Sequence, residues 1–127
     1  MTRISPPDKL TSDRGLDALL DLDGTIMEVG GGNWVRIRAT RVPATPERPH
    51  GIDYSLCLFS VRDERVICFD NAHSVATGSG LARRRSVARD HAHKGGKVTP
   101  YAYRDAATLL EDFWNEVEAW LREREID

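Results

Sequence analysis

What this chain has little of narrows the field first. There are two cysteines in 127 residues, too few for a disulfide framework and too few on their own for a structural zinc site. No apolar run approaches the roughly 20 residues that a bilayer span requires, and the N-terminus lacks the apolar core of a signal peptide. The chain therefore reads as soluble and cytoplasmic, with no membrane partner. An excess of charge of one sign is also missing, since 18 Lys and Arg stand against 20 Asp and Glu for a net charge of −2. Hydrophobic residues at 40% and charged residues at 30% exclude a disordered chain. The length is that of a single domain whose core does not depend on disulfides.

The near-neutral sum conceals a polarity. Residues 81–97 carry six basic side chains (Arg83, Arg84, Arg85, Arg89, Lys94 and Lys97) against Asp90, whereas residues 105–127 carry eight acids against Arg122 and Arg124. One basic and one acidic face can meet a polyanion and a basic partner respectively, or can be two solvated faces.

Residues 1–14 contain Pro6 and Pro7 and no periodicity, so they are expected to form a flexible arm ahead of a domain over 15–127. The apolar run that follows ends Asp21-Leu22-Asp23-Gly24-Thr25, which resembles the nucleophile motif of haloacid-dehalogenase-type phosphatases. In that motif the first Asp attacks phosphorus and the second handles the leaving-group proton. That family requires a parallel α/β sheet, a later Lys and a downstream acidic pair for magnesium. The segments that follow here are strand-like with no helices between them, and Asp23-Gly24 is equally a hairpin signal.

Residues 34–41 alternate with period two, placing Val35, Ile37 and Ala39 on one face and Arg36 and Arg38 on the other. Pro43, Pro46 and Pro49 then impose an extended loop up to His50. Residues 52–59 and 65–69 are strands of a hairpin in which Cys57 falls opposite Cys68, a pair that could oxidise but in a cytoplasmic chain is more often two buried thiols. From its cap at Asp105, the last segment repeats Ala106, Leu109, Leu110, Phe113, Val117, Trp120 and Leu121 at helical spacing, with Glu111, Asp112, Glu116, Glu118 and Glu123 opposite. The expected fold is α+β, an antiparallel sheet of four or five strands covered by a C-terminal amphipathic helix.

Three of the four histidines crowd into residues 69–93. That stretch opens Phe69-Asp70-Asn71-Ala72-His73 and closes Asp90-His91-Ala92-His93, with a Gly- and Arg-rich loop between. Asp, Asn and His at this density suit neither helix nor strand, and a site explains them better than propensity does. Histidine, with a pKa of ~6.5, supplies both a general base and a general acid near neutrality. Metal-free RNA cleavage needs that pair: one group takes the 2′-hydroxyl proton and another gives a proton to the leaving 5′-oxygen. His73 with His91 or His93 fills the two roles, and Asp70 or Asp90 orients an imidazole. Arg83, Arg84 and Arg85 neutralise phosphates, with Arg89, Asn71 and His50 as further substrate contacts. No cofactor is needed. Alternatively, His91 and His93 project to one side of an extended backbone and bind a divalent metal with Asp90, Asp70 or His73, giving a metal-dependent nuclease or nucleotide-modifying activity. A non-enzymatic binding module is the rival from another class.

Four blocks in order carry a family resemblance: Arg48-Pro49-His50-Gly51-Ile52 followed by Tyr54-Ser55-Leu56, then the Asp70 and Asp90 clusters above, then Leu109-Leu110-Glu111-Asp112-Phe113-Trp114. Together they resemble the TumE family, toxins of bacterial toxin-antitoxin pairs, over roughly residues 35–121. The chain departs from the family at Arg89, where an aromatic residue is usual. The resemblance implies a small toxin encoded beside an antitoxin, often a helix-turn-helix DNA-binding protein. It implies no particular reaction.

Overall fold

Period-two alternation becomes the centre of an antiparallel sheet in the computed structural model, which describes residues 13–46, 48–71 and 90–126. The elements in chain order are a short helix α1 (Leu16–Asp21), strands β1 (Thr25–Gly30), β2 (Asn33–Arg41), β3 (Ile52–Phe59), β4 (Arg65–Asp70), β5 (His91–Lys94) and β6 (Lys97–Pro100), and the long helix α2 (Ala106–Glu123). The six strands lie side by side in sequence order, each antiparallel to the next. The fold is α+β with a C-terminal helix, and the strand count is six rather than the expected four or five. β5 and β6 account for part of the difference. His-Ala-His-Lys has no β-branched residue and no Phe, Tyr or Trp, and in Lys-Val-Thr-Pro the β-branched Val98 and Thr99 are too short a run, closed by Pro100, to mark a strand. They pair through the main chain around Gly95 and Gly96, whose φ of 56° and 87° suit a tight two-residue turn.

One sheet face is dry. Val35, Ile37 and Ala39 of β2, Ile52, Tyr54, Leu56 and Leu58 of β3, Ile67 and Phe69 of β4 and Ala92 of β5 form a single core with Leu19 of α1 and Leu109, Phe113, Val117 and Leu121 of α2. Each large apolar side chain removed from water contributes about 1.5–3 kcal/mol, so the helix stripe and the strand alternation specify the same interface. The opposite parity forms the other face, against which no helix packs among the described residues. Arg36, Arg38, Ser55, Cys57, Cys68, Asp70, His91 and His93 occupy it. Cys57 and Cys68 face one another in register, as expected, and are joined as a disulfide.

α2 begins on a prepared floor. Asp105 Oδ1 accepts from Thr108 N at 2.7 Å, Asp13 Oδ1 from Ala106 N at 2.7 Å, and the Arg14 carbonyl from Ala107 N at 2.8 Å. These acceptors satisfy N–H groups that a helix start otherwise leaves unpaired. The last two residues of the expected arm, Asp13 and Arg14, are thus held against α2, while residues 1–12 lie outside the described residues.

The hairpin expected at Asp23-Gly24 is not formed. α1 precedes it, and the pair makes the turn from α1 into β1, with Gly24 at φ 88° and Asp23 Oδ1 accepting from Ala39 N at 2.9 Å. A helix of six residues is too short to stand alone and forms here because Leu19 is buried in the core. The wholly antiparallel sheet also removes the parallel architecture that the phosphatase motif at Asp21 and Asp23 requires.

Candidate functional site

β4 ends opposite the start of β5, and their register brings distant residues together. Asp70 pairs with His91 and Cys68 with His93. Alternation then puts Asp70, His91 and His93 on the helix-free face. His91 Nε2 lies 2.9 Å from Asp70 Oδ1, and His93 Nε2 lies 3.6 Å from Asp70 Oδ2. The two imidazoles meet edge to face with centroids 5.0 Å apart. One carboxylate therefore addresses both rings. All three side chains are largely buried, at 12% to 21% exposure. Burial lowers the His93 pKa below its ordinary value, and the Asp70 charge opposes that shift without reversing it.

A second histidine–carboxylate group lies on the other side of the sheet. His50 Nε2 is 3.0 Å from Asp90 Oδ2, and the same oxygen accepts from the Tyr54 hydroxyl at 2.7 Å. Ile52 N donates to His50 Nδ1 at 3.3 Å, which leaves Nε2 as the ring's donor toward Asp90. The ring also packs on Tyr103 at 4.3 Å between centroids. Burial first, then the neighbouring Asp90 charge, pushes the Tyr54 hydroxyl far above its usual pKa. Asn71 joins the two groups: its Oδ1 accepts from Tyr54 N at 2.9 Å and its Nδ2 donates to the Ile52 carbonyl at 2.8 Å. Arg48 Nε in turn donates to the Asn71 carbonyl at 3.2 Å.

Of the residues expected at a site, the structure thus brings Asp70, His91 and His93 together and gives Asp90 to His50. Asn71, expected as a substrate contact, is fully buried and ties β4 to β3. His73, Arg83, Arg84, Arg85 and Arg89 lie outside the described residues. Sequence reasoning gave no role to Tyr54, although a Tyr on the apolar side of an alternating strand signals a hidden acceptor for its hydroxyl. Arg36 and Arg38 were visible only as a basic strand face, and Ser55 only within a block of the family resemblance.

Two imidazoles sharing a carboxylate can transfer protons to and from one substrate group, or can hold a metal ion, since their ligand atoms all lie within 4.8 Å of one another. Fold and site together define an α+β domain with a polar His–Asp centre on one face of an antiparallel sheet. The family is more particular. The model of the toxin TumE family matches residues 15–121, and the chain belongs to that family. It is thus a toxin component and implies an antitoxin partner. No curated protein and no solved structure matches it. Among the described residues, no helix is long and apolar enough to cross a membrane.

Proposed function

We propose that this toxin acts in the cytoplasm by cleaving RNA at the Asp70–His91–His93 centre. The observation that carries the reading is the Asp70 carboxylate set 2.9 Å from one imidazole and 3.6 Å from the next. His93, whose burial keeps it neutral near pH 7, takes the proton of a 2′-hydroxyl. The freed oxygen attacks the adjacent phosphorus. The bond from phosphorus to the 5′-oxygen breaks, and His91, oriented by Asp70, gives that oxygen its proton. The products are a 2′,3′-cyclic phosphate and a 5′-hydroxyl. Arg83, Arg84, Arg85 and Arg89 are the proposed phosphate contacts, and His73 of the first polar cluster is a further candidate acid or base. The antitoxin, of the helix-turn-helix DNA-binding type, silences the protein by covering this centre.

The test is cleavage of cellular RNA by the purified chain in the presence of EDTA. Cyclic phosphate ends are expected, together with loss of both cleavage and growth arrest in His91→Ala and His93→Ala. Because both rings are largely buried against Asp70, circular dichroism checks that each variant is folded, and His91→Gln and His93→Gln repeat the test with less loss of packing. Retained toxicity in both would overturn the acid–base assignment. A second reading has its own observation, the convergence of two His nitrogens and a carboxylate oxygen within 4.8 Å. Activity abolished by EDTA and restored by manganese or zinc, with ends other than cyclic phosphate, would make the same triad a metal centre.

A further inference from the structure

The histidine pair terminates two parallel rows of side chains that cross the helix-free face, with Cys57, Cys68 and Asp70 buried between their neighbours. One row runs Arg38, Ser55, Asp70, His91 and the other Arg36, Cys57, Cys68, His93, each residue paired in register with the next across β2, β3, β4 and β5. Each row begins at an arginine and ends at a histidine. The arginine end opens into a groove of about 530 Å³ lined by Ile26, Arg36, Arg38, Asp53 and Ser55, with Asp23 at its rim. Three strand spacings of about 4.8 Å separate the ends, roughly 14 Å, a length covered by a few nucleotides of extended single strand.

The groove has unmet binding capacity. Arg36 Nε is buried and has no hydrogen-bond partner among the described residues. A buried donor left in that state is costly, and an incoming oxygen relieves the cost. The Arg36 guanidinium lies 5.2 Å from the centroid of the Phe59 ring, which braces it from one side. Neither Arg36 nor Arg38 forms an ion pair among the described residues. Asp23, which also accepts from Ala39 N, and Asp53 both line the groove and temper its positive field. Beside Arg36 on the same face, Trp34 and Phe59 stack with centroids 4.3 Å apart and planes 12° from parallel. Cations along a groove with an adjoining aromatic platform are the features that bind single-stranded nucleic acid, phosphates to the first and a base to the second.

We propose that this face is the seat of single-stranded RNA. Arg36 and Arg38 hold phosphates a few nucleotides from the scissile one, a base stacks at Trp34, and the two rows lead the strand to His91 and His93. The inference rests on the proposed RNA cleavage and adds the substrate class and its track.

The test uses a fluorescein-labelled 2′-O-methyl RNA oligonucleotide, which lacks the nucleophile and reports binding alone, with anisotropy read on the full chain carrying His91→Ala. Adding Arg36→Gln and Arg38→Gln should weaken binding at least tenfold. It should also flatten the slope of log affinity against log salt by roughly 1.4, at about 0.7 per phosphate contact of a single strand. Trp34→Ala should weaken binding by about tenfold without changing that slope, as expected for lost stacking. Arg38→Gln alone, at an exposed position, keeps the test decisive if the double variant does not fold. Unchanged affinity and slope in the arginine variants overturn the proposal, as does loss of antitoxin binding with RNA binding intact. Groove-dependent binding by a wild-type chain that leaves RNA uncut would uphold the track and sink the cleavage reading. Cleavage with kcat and KM unaltered in the arginine variants would do the reverse.

Discussion

At His93 two effects oppose one another, and burial wins. Water withdrawn from the ring disfavours its charged form more than Asp70 favours it, with Arg65 adding to the lowering. The imidazole is therefore harder to protonate in the folded chain than in the unfolded one, where its pKa is ~6.5. Below that value the unfolded chain binds more protons, so this residue makes stability fall as pH drops and has no effect well above it. Melting temperature measured from about pH 7 to about pH 5 should decline less steeply in His93→Gln than in the parent. An NMR titration of the His93 ring should give a midpoint below ~6.5. A midpoint above it would mean that Asp70 dominates, and His93 would then be the wrong choice of base. Asp70, His91 and His93 were legible in the sequence because a His-x-His pair on an extended backbone shares a side. The His50–Asp90 pair was not, since 40 residues separate its members and only the closed sheet sets their distance.

At the scale of elements, α2 was readable from its stripe and its cap, and both can be weighed. Asp105→Ala should cost about 1 kcal/mol, the usual loss of an N-cap side chain. Gly15 bears more on the same junction. It sits at φ 82°, and a Cβ there would meet Ala107 N at 2.7 Å, so the backbone has no room to give. Gly15→Ala should destabilise by about 1–3 kcal/mol in urea unfolding, and a loss smaller than that of Asp105→Ala would refute the close packing of α1 on α2. β5 was illegible as a strand because its His-x-His chemistry belongs to a site, and β6 because it is only four residues long and its pairing is supplied by β5. α1 was hidden for a related reason: its apolar residues merged with a motif whose chemistry the sheet does not support. Asp21 is exposed at the C-terminal end of α1, so Asp21→Asn should leave toxicity and RNA cleavage unchanged. Loss of a magnesium-dependent phosphatase activity in that variant, with the fold retained, would restore the discarded reading.

The whole molecule presents two unlike surfaces, and an antitoxin must choose between them. The outer side of α2 exposes Glu111, Glu118 and Glu123, while the helix-free sheet face carries Arg36, Arg38 and the histidine centre. Simple occlusion requires the partner to cover the second surface, and acidic side chains there would replace phosphates as the counter-charge to the arginines. Such an association weakens as salt screens it over about 8 Å at physiological strength, whereas an apolar interface holds. Growth arrest on expressing the chain alone, relieved by the gene beside it, is the first expected result. Amide exchange on the purified pair should then show protection concentrated in β2, β3 and β5, with the exposed side of α2 unchanged. Arg36→Gln with Arg38→Gln should weaken the pair and flatten its salt dependence. Protection confined to α2, with the arginine variants still neutralised, would place the partner on the acidic helix. Silencing would then have to act at a distance from the site, through the contacts of Phe113 with Phe69 that link α2 to the strand carrying Asp70.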